Sequence, residues 1–276
     1  MNNKRVVITG AGSGIGRELA LQLAAKGCQL ALADVNTAGL DATITLARAE
    51  GAGQIISAAV NVADEAQFND FAQSVNTQWG GVDVVINNAG ITRFGEFAST
   101  SAEAFRSVLD VNFWGVVHGS RAFLPALRSS RGSLVNVSSL FGLIGVAGQA
   151  HYCASKFAVR GFTESLRQEL KEDGVHVACV HPGGVRTGIA SNATFDQAVD
   201  NQAAVVRNLE EKALKLAPSE AARIIIDGIE RRRERILVGG DAKFVDLLQR
   251  LFPSAYADIV QRVLGKASGM RKKVTA

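Results

Sequence analysis

The sequence predicts an α/β fold in which a single doubly wound parallel sheet of about seven strands carries helices on both faces. Short apolar, β-branched runs alternate with longer amphipathic segments along the 276 residues. No stretch rich in Pro, Ser or Gly separates two halves of different composition. We therefore expect one domain over residues 1–240 and a helical extension, 241–276, packed on the same domain.

Composition and charge narrow the class of protein. The net charge of +4 and the sequence pI near 9.1 are mild, and the basic residues are spread out except at 231–235 and 271–273. We therefore expect no nucleic-acid partner, and contact with an anionic membrane is only a minor alternative. No apolar run reaches the ~18 residues of a membrane span. The three cysteines lack the spacing of a metal site, so we expect no metal. The first strand begins at Arg5 and leaves no room for a targeting segment, which together with the cysteine pattern predicts a cytoplasmic protein.

A glycine-rich loop follows the first predicted strand, 5–9. Residues 9–16 read TGAGSGIG, and a helical pattern begins at Arg17. Glycines let the backbone approach a phosphate closely, and the helix start behind them offers unpaired N–H groups and a partial positive charge. The loop predicts a dinucleotide site, with a plain tight turn as the alternative.

The ends of the next strands indicate how a dinucleotide would bind. Asp34 ends the second strand 18 residues beyond Gly16, where a carboxylate accepts hydrogen bonds from an adenosine ribose and would repel a 2'-phosphate. Neither Ser13 nor Val35 supplies a compensating base, so we expect NAD rather than NADP; a helix cap is the alternative role for Asp34. The fourth strand, 82–86, ends in Asn-Asn-Ala-Gly at 87–90, which suits a ligand lying across the sheet or a simple turn.

Tyr152 and Lys156 are four residues apart in a helical pattern, so both side chains leave the same face. The ammonium group would stabilise a phenolate and lower the pKa of Tyr152, which would then take a proton from an alcohol. Ser139 follows the strand 133–137 and places a hydroxyl at the carboxyl edge of the sheet. Asn112 lies in the helical stretch 102–127, where a solvated or locally bonded amide is the simplest interpretation.

In order along the chain, these motifs resemble the short-chain dehydrogenase/reductase family: TGxxxGxG at 9–16, NNAG at 87–90, Ser139, YxxxK at 152–156 and PGGVRT at 182–187. The resemblance covers roughly the first 190 residues. It implies a Rossmann-like sheet, a nicotinamide cofactor and a catalytic tetrad of Asn112, Ser139, Tyr152 and Lys156. The cofactor contacts that it implies are Gly10, Ser13, Gly14, Ile15, Gly16, Asp34, Asn61, Val62, Asn88, Ala89, Gly90, Tyr152, Lys156, Pro182, Gly183, Val185 and Thr187.

The resemblance also implies the reaction. In oxidation Tyr152 accepts the alcohol proton as hydride passes to the nicotinamide, Ser139 stabilises the developing alkoxide, and protons leave through Lys156, the ribose and a water held by Asn112. The family usually has Asp where this chain has Asn61, and an amide can still bond to adenine. A catalytically silent dinucleotide-binding regulator or scaffold, and an epimerase or dehydratase on the same fold, remain alternatives.

The second half of the chain predicts the substrate and the assembly. Residues 188–218 show no strand pattern, and we expect them to form either a lid over the substrate or helices that only pack on the sheet. An apolar secondary alcohol or ketone would fit a pocket lined by Phe94, Ser139, Phe141, Leu143 and Phe195, although apolar residues are more often core.

The extension carries a helical stripe that could cover the pocket, pack on its own domain, contact another subunit or touch a membrane; the stripe consists of Phe244, Leu247, Leu248, Leu251 and Phe252. The resemblance implies a homodimer or homotetramer assembled through the helices that hold Asn112 and Tyr152.

Overall fold

The structure, a computed structural model, describes residues 1–196, 199 and 201–260. Within this part of the chain, strands and helices alternate as predicted. The strands are β1 (Arg5–Thr9), β2 (Gln29–Asp34), β3 (Ile55–Ala59), β4 (Val84–Asn87), β5 (Arg93–Phe94), β6 (Ser133–Val137), β7 (His176–Pro182), β8 (Thr194–Phe195) and β9 (Arg235–Val238).

The helices of the described residues surround the sheet. They are α1 (Gly14–Ala24), α2 (Thr37–Ala49), α3 (Glu65–Trp79), α4 (Ala102–Leu109), α5 (Gly115–Ser130), α6 (Ala150–Glu169), α7 (Gln202–Lys212), α8 (Pro218–Glu230) and α9 (Gly240–Leu251). A π turn, Asp110–Trp114, joins α4 to α5, and short 3₁₀ turns occupy Phe97–Ser99 and Leu140–Gly142. None of these helices is both long and apolar enough to cross a bilayer.

Seven parallel strands form one sheet in the order β3-β2-β1-β4-β6-β7-β9, which confirms the predicted fold class. Side chains of β1 alternate between the two faces: Val6 and Ile8 join the core under α1 and α8, and Val7 joins the core under α3 and α5. In the second core three phenylalanine rings meet edge to face with centroids 6.3–6.4 Å apart, at Phe68, Phe71 and Phe123. Both faces are therefore covered, as a parallel sheet requires.

The strand order reverses between β1 and β4. Chain connections leave the carboxyl ends of these two strands in opposite directions, which opens a crevice at that edge of the sheet. The glycine-rich loop follows β1, and Asn88 follows β4. The predicted dinucleotide motifs therefore lie on both sides of this crevice.

One local prediction is wrong. We expected residues 188–218 to lack strand structure, whereas Thr194–Phe195 forms β8 and pairs in parallel with β5. Two residues are too short to produce a period-2 pattern, and this pairing depends on tertiary contact. The rest of residues 188–218, which we call the insert, contains α7, and residues 197, 198 and 200 lie outside the described part.

The inner face of α9 packs on the segment that follows Ser139. Leu140, Leu143 and Ile144 form a small buried cluster with Ala242, Val245, Leu248 and Val260. Leu248 is thus the buried member of the predicted stripe, whereas its other four residues, Phe244, Leu247, Leu251 and Phe252, are exposed. The prediction for residues 261–276 falls outside the described residues.

Candidate active site

The glycine-rich loop is built for close backbone contact. Gly10 and Gly14 have φ values of +67° and +53°, which favour glycine. A Cβ on Gly10 would lie 2.8 Å from the Cα of Ala89, and one on Gly16 would lie 2.0 Å from the oxygen of Gly10. Ser13 precedes α1 without capping it through its side chain, so the N–H groups of the first turn, which includes Ile15, remain free to bind an anion.

Asp34 is held beside this loop. Its Oδ2 accepts a hydrogen bond from the N–H of Gly12 at 2.8 Å, and its Oδ1 accepts one from the N–H of Asn36 at 2.8 Å. The side chain that caps α2 belongs to Asn36, so the alternative role of Asp34 as the helix cap is wrong. Each carboxylate oxygen still has a lone pair available for a ribose hydroxyl.

The carboxyl ends of β3 and β4 lie at the same edge of the sheet as the glycine-rich loop. The Oγ1 of Thr9 accepts from the N–H groups of Asn88 and Ala89 at 3.0 and 3.1 Å, and the Asn88 amide donates back to the oxygens of Thr9 and Gly10. Asn88 thus braces the glycine-rich loop. Asn61 is exposed at the end of β3, and Val62 beside it is buried.

The loop after β7 meets the glycine-rich loop from the other side. Pro182 ends β7, Gly183 follows it, and Val185 is buried. A Cβ on Gly14 would lie 3.0 Å from the methyl group of Thr187, so these two loops are in contact. The glycine-rich loop is thus in contact with Asp34 on one side and with Thr187 on the other.

Tyr152 and Lys156 leave the same face of α6, with Nζ 5.7 Å from the centroid of the phenol ring. Burial raises the pKa of Tyr152 to about 12, and a hydrogen bond with the Ser139 hydroxyl opposes this rise to a smaller extent. The direction is opposite to our prediction, because the loss of water around a phenolate outweighs the stabilisation by the Ser139 hydroxyl. Phe141 places its ring edge-on to Tyr152, with centroids 6.1 Å apart.

Lys156 is a buried cation without a carboxylate partner in the described part of the chain. Its Nζ donates to the oxygen of Val137 at 3.1 Å, and burial lowers its pKa to about 8. An ammonium group has three donors, so at least one of them remains available to a ligand. Unpaired buried charge is costly, which makes Lys156 the strongest sign of a binding site in this structure.

Asn112 lies in the π turn and is fully buried, which excludes the solvated amide among the simple interpretations. Its Oδ1 accepts from the N–H of Ile91 at 2.8 Å, and its Nδ2 donates to the oxygen of Ile91 and to Ser155 Oγ, both at 3.0 Å. π turns inside α-helices often mark functional positions. A Cβ on Gly90 would lie 3.2 Å from Asn112 Oδ1 and 3.3 Å from Lys156 Nζ, so a glycine lets this strand end approach both groups.

The apolar residues predicted for the pocket fall in two places. The rings of Phe94 and Phe195 stack with centroids 5.3 Å apart where β5 pairs with β8. Phe141 lies beside Tyr152, whereas Leu143 is buried in the cluster under α9.

An ion pair that sequence reasoning missed closes the insert onto β5. Asp196 is buried and accepts hydrogen bonds from Arg93 and from Thr100 Oγ1. A side chain on Gly95 would collide with this carboxylate. Gln149, just before α6, donates to the oxygen of Arg93 at 2.7 Å. These residues occupy no motif, so a pattern search gives no signal for them.

Sequence reasoning also missed residues that support Lys156 and Ser139. Ser138 Oγ donates to the oxygen of Lys156 at 2.7 Å, and a ring nitrogen of His181 lies 3.2 Å from the oxygen of Ser139. Burial lowers the pKa of His181 to about 4, so the ring is neutral near pH 7.

Comparison with known proteins identifies the family. The sequence model of the short chain dehydrogenases matches residues 4–198. The chain belongs to the short-chain dehydrogenase family. A crystal structure of a short chain dehydrogenase/reductase from Burkholderia phymatum in complex with NAD is similar, with a TM-score of 0.82 and 32% identity over 91% of this chain and 94% of that one.

Curated relatives cover nearly the whole chain. A putative oxidoreductase, SadH, from Mycobacterium tuberculosis is 46% identical over 267 residues, which is 95% of this chain and 96% of that protein. Epidermal retinol dehydrogenase 2 from Mus musculus is 34% identical over 264 residues, 94% of this chain and 82% of that protein. These similarities show that the protein is an oxidoreductase of this family.

Proposed function

We propose that this oxidoreductase uses NAD to interconvert an apolar, preferably secondary, alcohol and its carbonyl compound. The observation that carries the proposal is the buried pair of Tyr152 and Lys156, which share one face of α6 at the crevice where the sheet changes direction. Ser139 and Asn112 lie at the same edge. An acid, a cation and a hydroxyl in one site are the groups that carbonyl reduction needs.

The residues of the crevice fit a nicotinamide dinucleotide. The free N–H groups at the start of α1 suit a pyrophosphate, Asp34 has lone pairs for ribose hydroxyls, and the unpaired ammonium of Lys156 suits the hydroxyls of the second ribose. When bound, the nicotinamide supplies a hydride acceptor or donor. We propose NAD rather than NADP because Asp34 is a carboxylate where a 2'-phosphate would lie.

Each side chain of the site has its own role in the proposed proton transfer. Tyr152 keeps its proton at neutral pH because burial raises its pKa to about 12, so it is ready to protonate a carbonyl oxygen during reduction. In oxidation the phenol must first lose this proton, and the Lys156 ammonium is the cation placed to stabilise the phenolate. We propose that Ser139 holds the substrate oxygen and that Asn112 anchors the proton relay.

The proposed substrate class follows from the walls of the site. Phe141 lies edge-on to Tyr152, and the stacked rings of Phe94 and Phe195 lie on β5 and β8, where Arg93 of β5 bonds to Gln149 just before α6. The relative named as a retinol dehydrogenase also takes its name from an apolar alcohol. We propose that residues 188–218 act as the lid, because β8 joins the insert to β5, and β5 bonds to Gln149 just before α6.

We also propose a homodimer or homotetramer that assembles through α5, the adjoining π turn and α6. Trp114 and Phe157 are large apolar side chains in these elements, and they are 47% and 40% exposed. Sedimentation velocity of the wild type and of Trp114→Glu tests this assembly. A wild-type monomer would contradict it.

The function is tested by incubating the protein with NAD or NADH and a panel of apolar secondary alcohols, apolar primary alcohols and the matching ketones and aldehydes. Absorbance of the reduced nicotinamide follows turnover in both directions. We expect turnover with NAD and an apolar substrate. Binding of NADH without turnover of the panel would favour a silent dinucleotide-binding protein instead, and conversion of substrate without net cofactor change would indicate an epimerase or dehydratase.

A further inference from the structure

The first turn of α9 touches the loop that follows β7. Asp241 Oδ2 accepts a hydrogen bond from the N–H of Gly184 at 2.7 Å, and its Oδ1 accepts one from the N–H of Ala242 at 2.9 Å. A Cβ on Gly183 would lie 2.1 Å from this Oδ1. The carboxylate therefore occupies the space that any larger residue at Gly183 would fill.

The carbonyl group of the same residue, Gly184, is held by the end of the insert. The oxygen of Gly184 accepts from the N–H groups of Lys215 and Leu216 at 2.9 and 3.0 Å, and Arg186 donates its N–H to the oxygen of Leu216 at 2.8 Å. The position of Gly184 thus depends on two separate elements, with Asp241 of α9 on one side and the insert on the other. Loss of either contact frees one side of the loop.

The loop carries this position to the cofactor site. Val185, next to Gly184, and Thr187 are the residues proposed to contact the nicotinamide end, and the Thr187 methyl group lies against Gly14. Only residues 185 and 186 separate Gly184, which bonds to Asp241, from Thr187, which contacts the glycine-rich loop at Gly14. A shift of Gly184 would therefore displace the groups that receive the nicotinamide.

Helix α9 is itself firmly anchored. Arg235 in β9 bonds to the buried carboxylate of Asp246 and lies 3.6 Å from Glu164 on the catalytic helix α6. The hydroxyl of Tyr256 accepts from the N–H of Gly145 at 3.2 Å. Together with the buried cluster around Leu143, these contacts give Asp241 a fixed base from which to hold the loop.

We infer that Asp241 is a positioning residue for the nicotinamide half of the cofactor site, and that α9 is part of that site. The inference rests on the proposed function, because it requires a dinucleotide that spans residues 10–16 and 182–187. Asp241 begins the C-terminal extension and lies outside all of the family motifs, so the motifs give it no role.

The test compares full-length variants by NADH fluorescence titration. Asp241→Ala should bind NADH about threefold to tenfold more weakly, the loss that one such hydrogen bond predicts. Asp241→Asn should bind nearly as tightly as wild type, because its amide oxygen still accepts from Gly184. The matched control is Asp258→Ala, which removes the same charge from an exposed position with no side-chain hydrogen bond or ion pair in the described residues.

A second titration separates positioning from stability. AMP occupies only the adenosine half, so its affinity should be the same for Asp241→Ala and wild type. Equal loss of AMP and NADH binding, or unchanged NADH binding, would overturn the inference while leaving the proposed function intact. Absence of NADH binding by the wild type would instead overturn the proposed function and the inference with it.

Discussion

The choice between NAD and NADP depends on one carboxylate, and Asp34→Asn tests it. Asp34 is half-buried and accepts hydrogen bonds from Gly12 and Asn36, one on each oxygen. The substitution removes the charge but leaves one oxygen, which can keep one of these two bonds. The cost in stability should be about 1 kcal/mol, the net value of one hydrogen bond, so the variant should fold.

The expected change in the NAD/NADP affinity ratio follows from Coulomb's law. A 2'-phosphate on a ribose bonded to Asp34 would lie about 4 Å from the carboxylate, where repulsion per unit charge is roughly 1 kcal/mol in water and about 4 kcal/mol at an effective dielectric constant of 20. Asp34 is only half-buried, which places the value towards the lower limit. Since about 1.4 kcal/mol is a factor of ten, we expect the NAD/NADP affinity ratio to fall by at least about fivefold to tenfold.

Calorimetric titration with NAD and NADP measures this ratio in the wild type, in Asp34→Asn and in the control Asp41→Asn. Asp41 is an exposed carboxylate of α2 whose side chain makes no hydrogen bond or ion pair in the described residues. The control should keep the wild-type ratio. The reasoning is refuted if the wild type prefers NADP, or if Asp34→Asn leaves the ratio unchanged.

Three further predictions concern the catalytic side of the site. Lys156→Met should abolish turnover and raise Tm near pH 7, because it removes a buried cation that has no carboxylate partner among the described residues. Since the folded pKa is about 8 against an unfolded value of 10.5, the wild type should regain stability relative to this variant as pH rises through that interval, and thermal unfolding at several pH values checks the sign. Ser139→Ala should lower kcat about 10²- to 10³-fold with unchanged NADH affinity in fluorescence titration, and an unchanged kcat would contradict its role. Asp196→Asn should raise KM for the substrate more than it lowers kcat, because it breaks the ion pair with Arg93 that joins the insert to β5, and we propose that Phe195 beside it borders the pocket; steady-state kinetics distinguish this from a loss of kcat alone.

Sequence reasoning found the sheet because its signal is local. Most core strands carry a short apolar run, such as Val6–Ile8 in β1 and Val84–Ile86 in β4, and the glycine-rich and NNAG motifs follow these two runs, so the crevice could be predicted before its geometry was known. The two-residue strand β8 had no such signal, since its pairing with β5 is decided by tertiary contact. The same applies to Asp241 and Asp196, whose partners are far away in sequence.

The direction of the Tyr152 pKa could not be predicted from spacing either. Spacing on a helix places Lys156 near the phenol, but the pKa depends on how much water both groups lose, and that depends on the packing of the whole edge. For Asn112 the sequence indicates a helix, whereas the π turn that buries its amide against Ile91 and Ser155 is a feature of the packed structure.

The central claim is that Tyr152 transfers the proton in a nicotinamide-dependent reaction. The most direct measurement is kcat for Tyr152→Phe with the best substrate of the panel, together with its NADH affinity. The account predicts NADH affinity close to that of the wild type, with kcat lowered by at least about 10²-fold because only the hydroxyl is lost. Substantial turnover by Tyr152→Phe, with the substrate and cofactor bound as in the wild type, would contradict it.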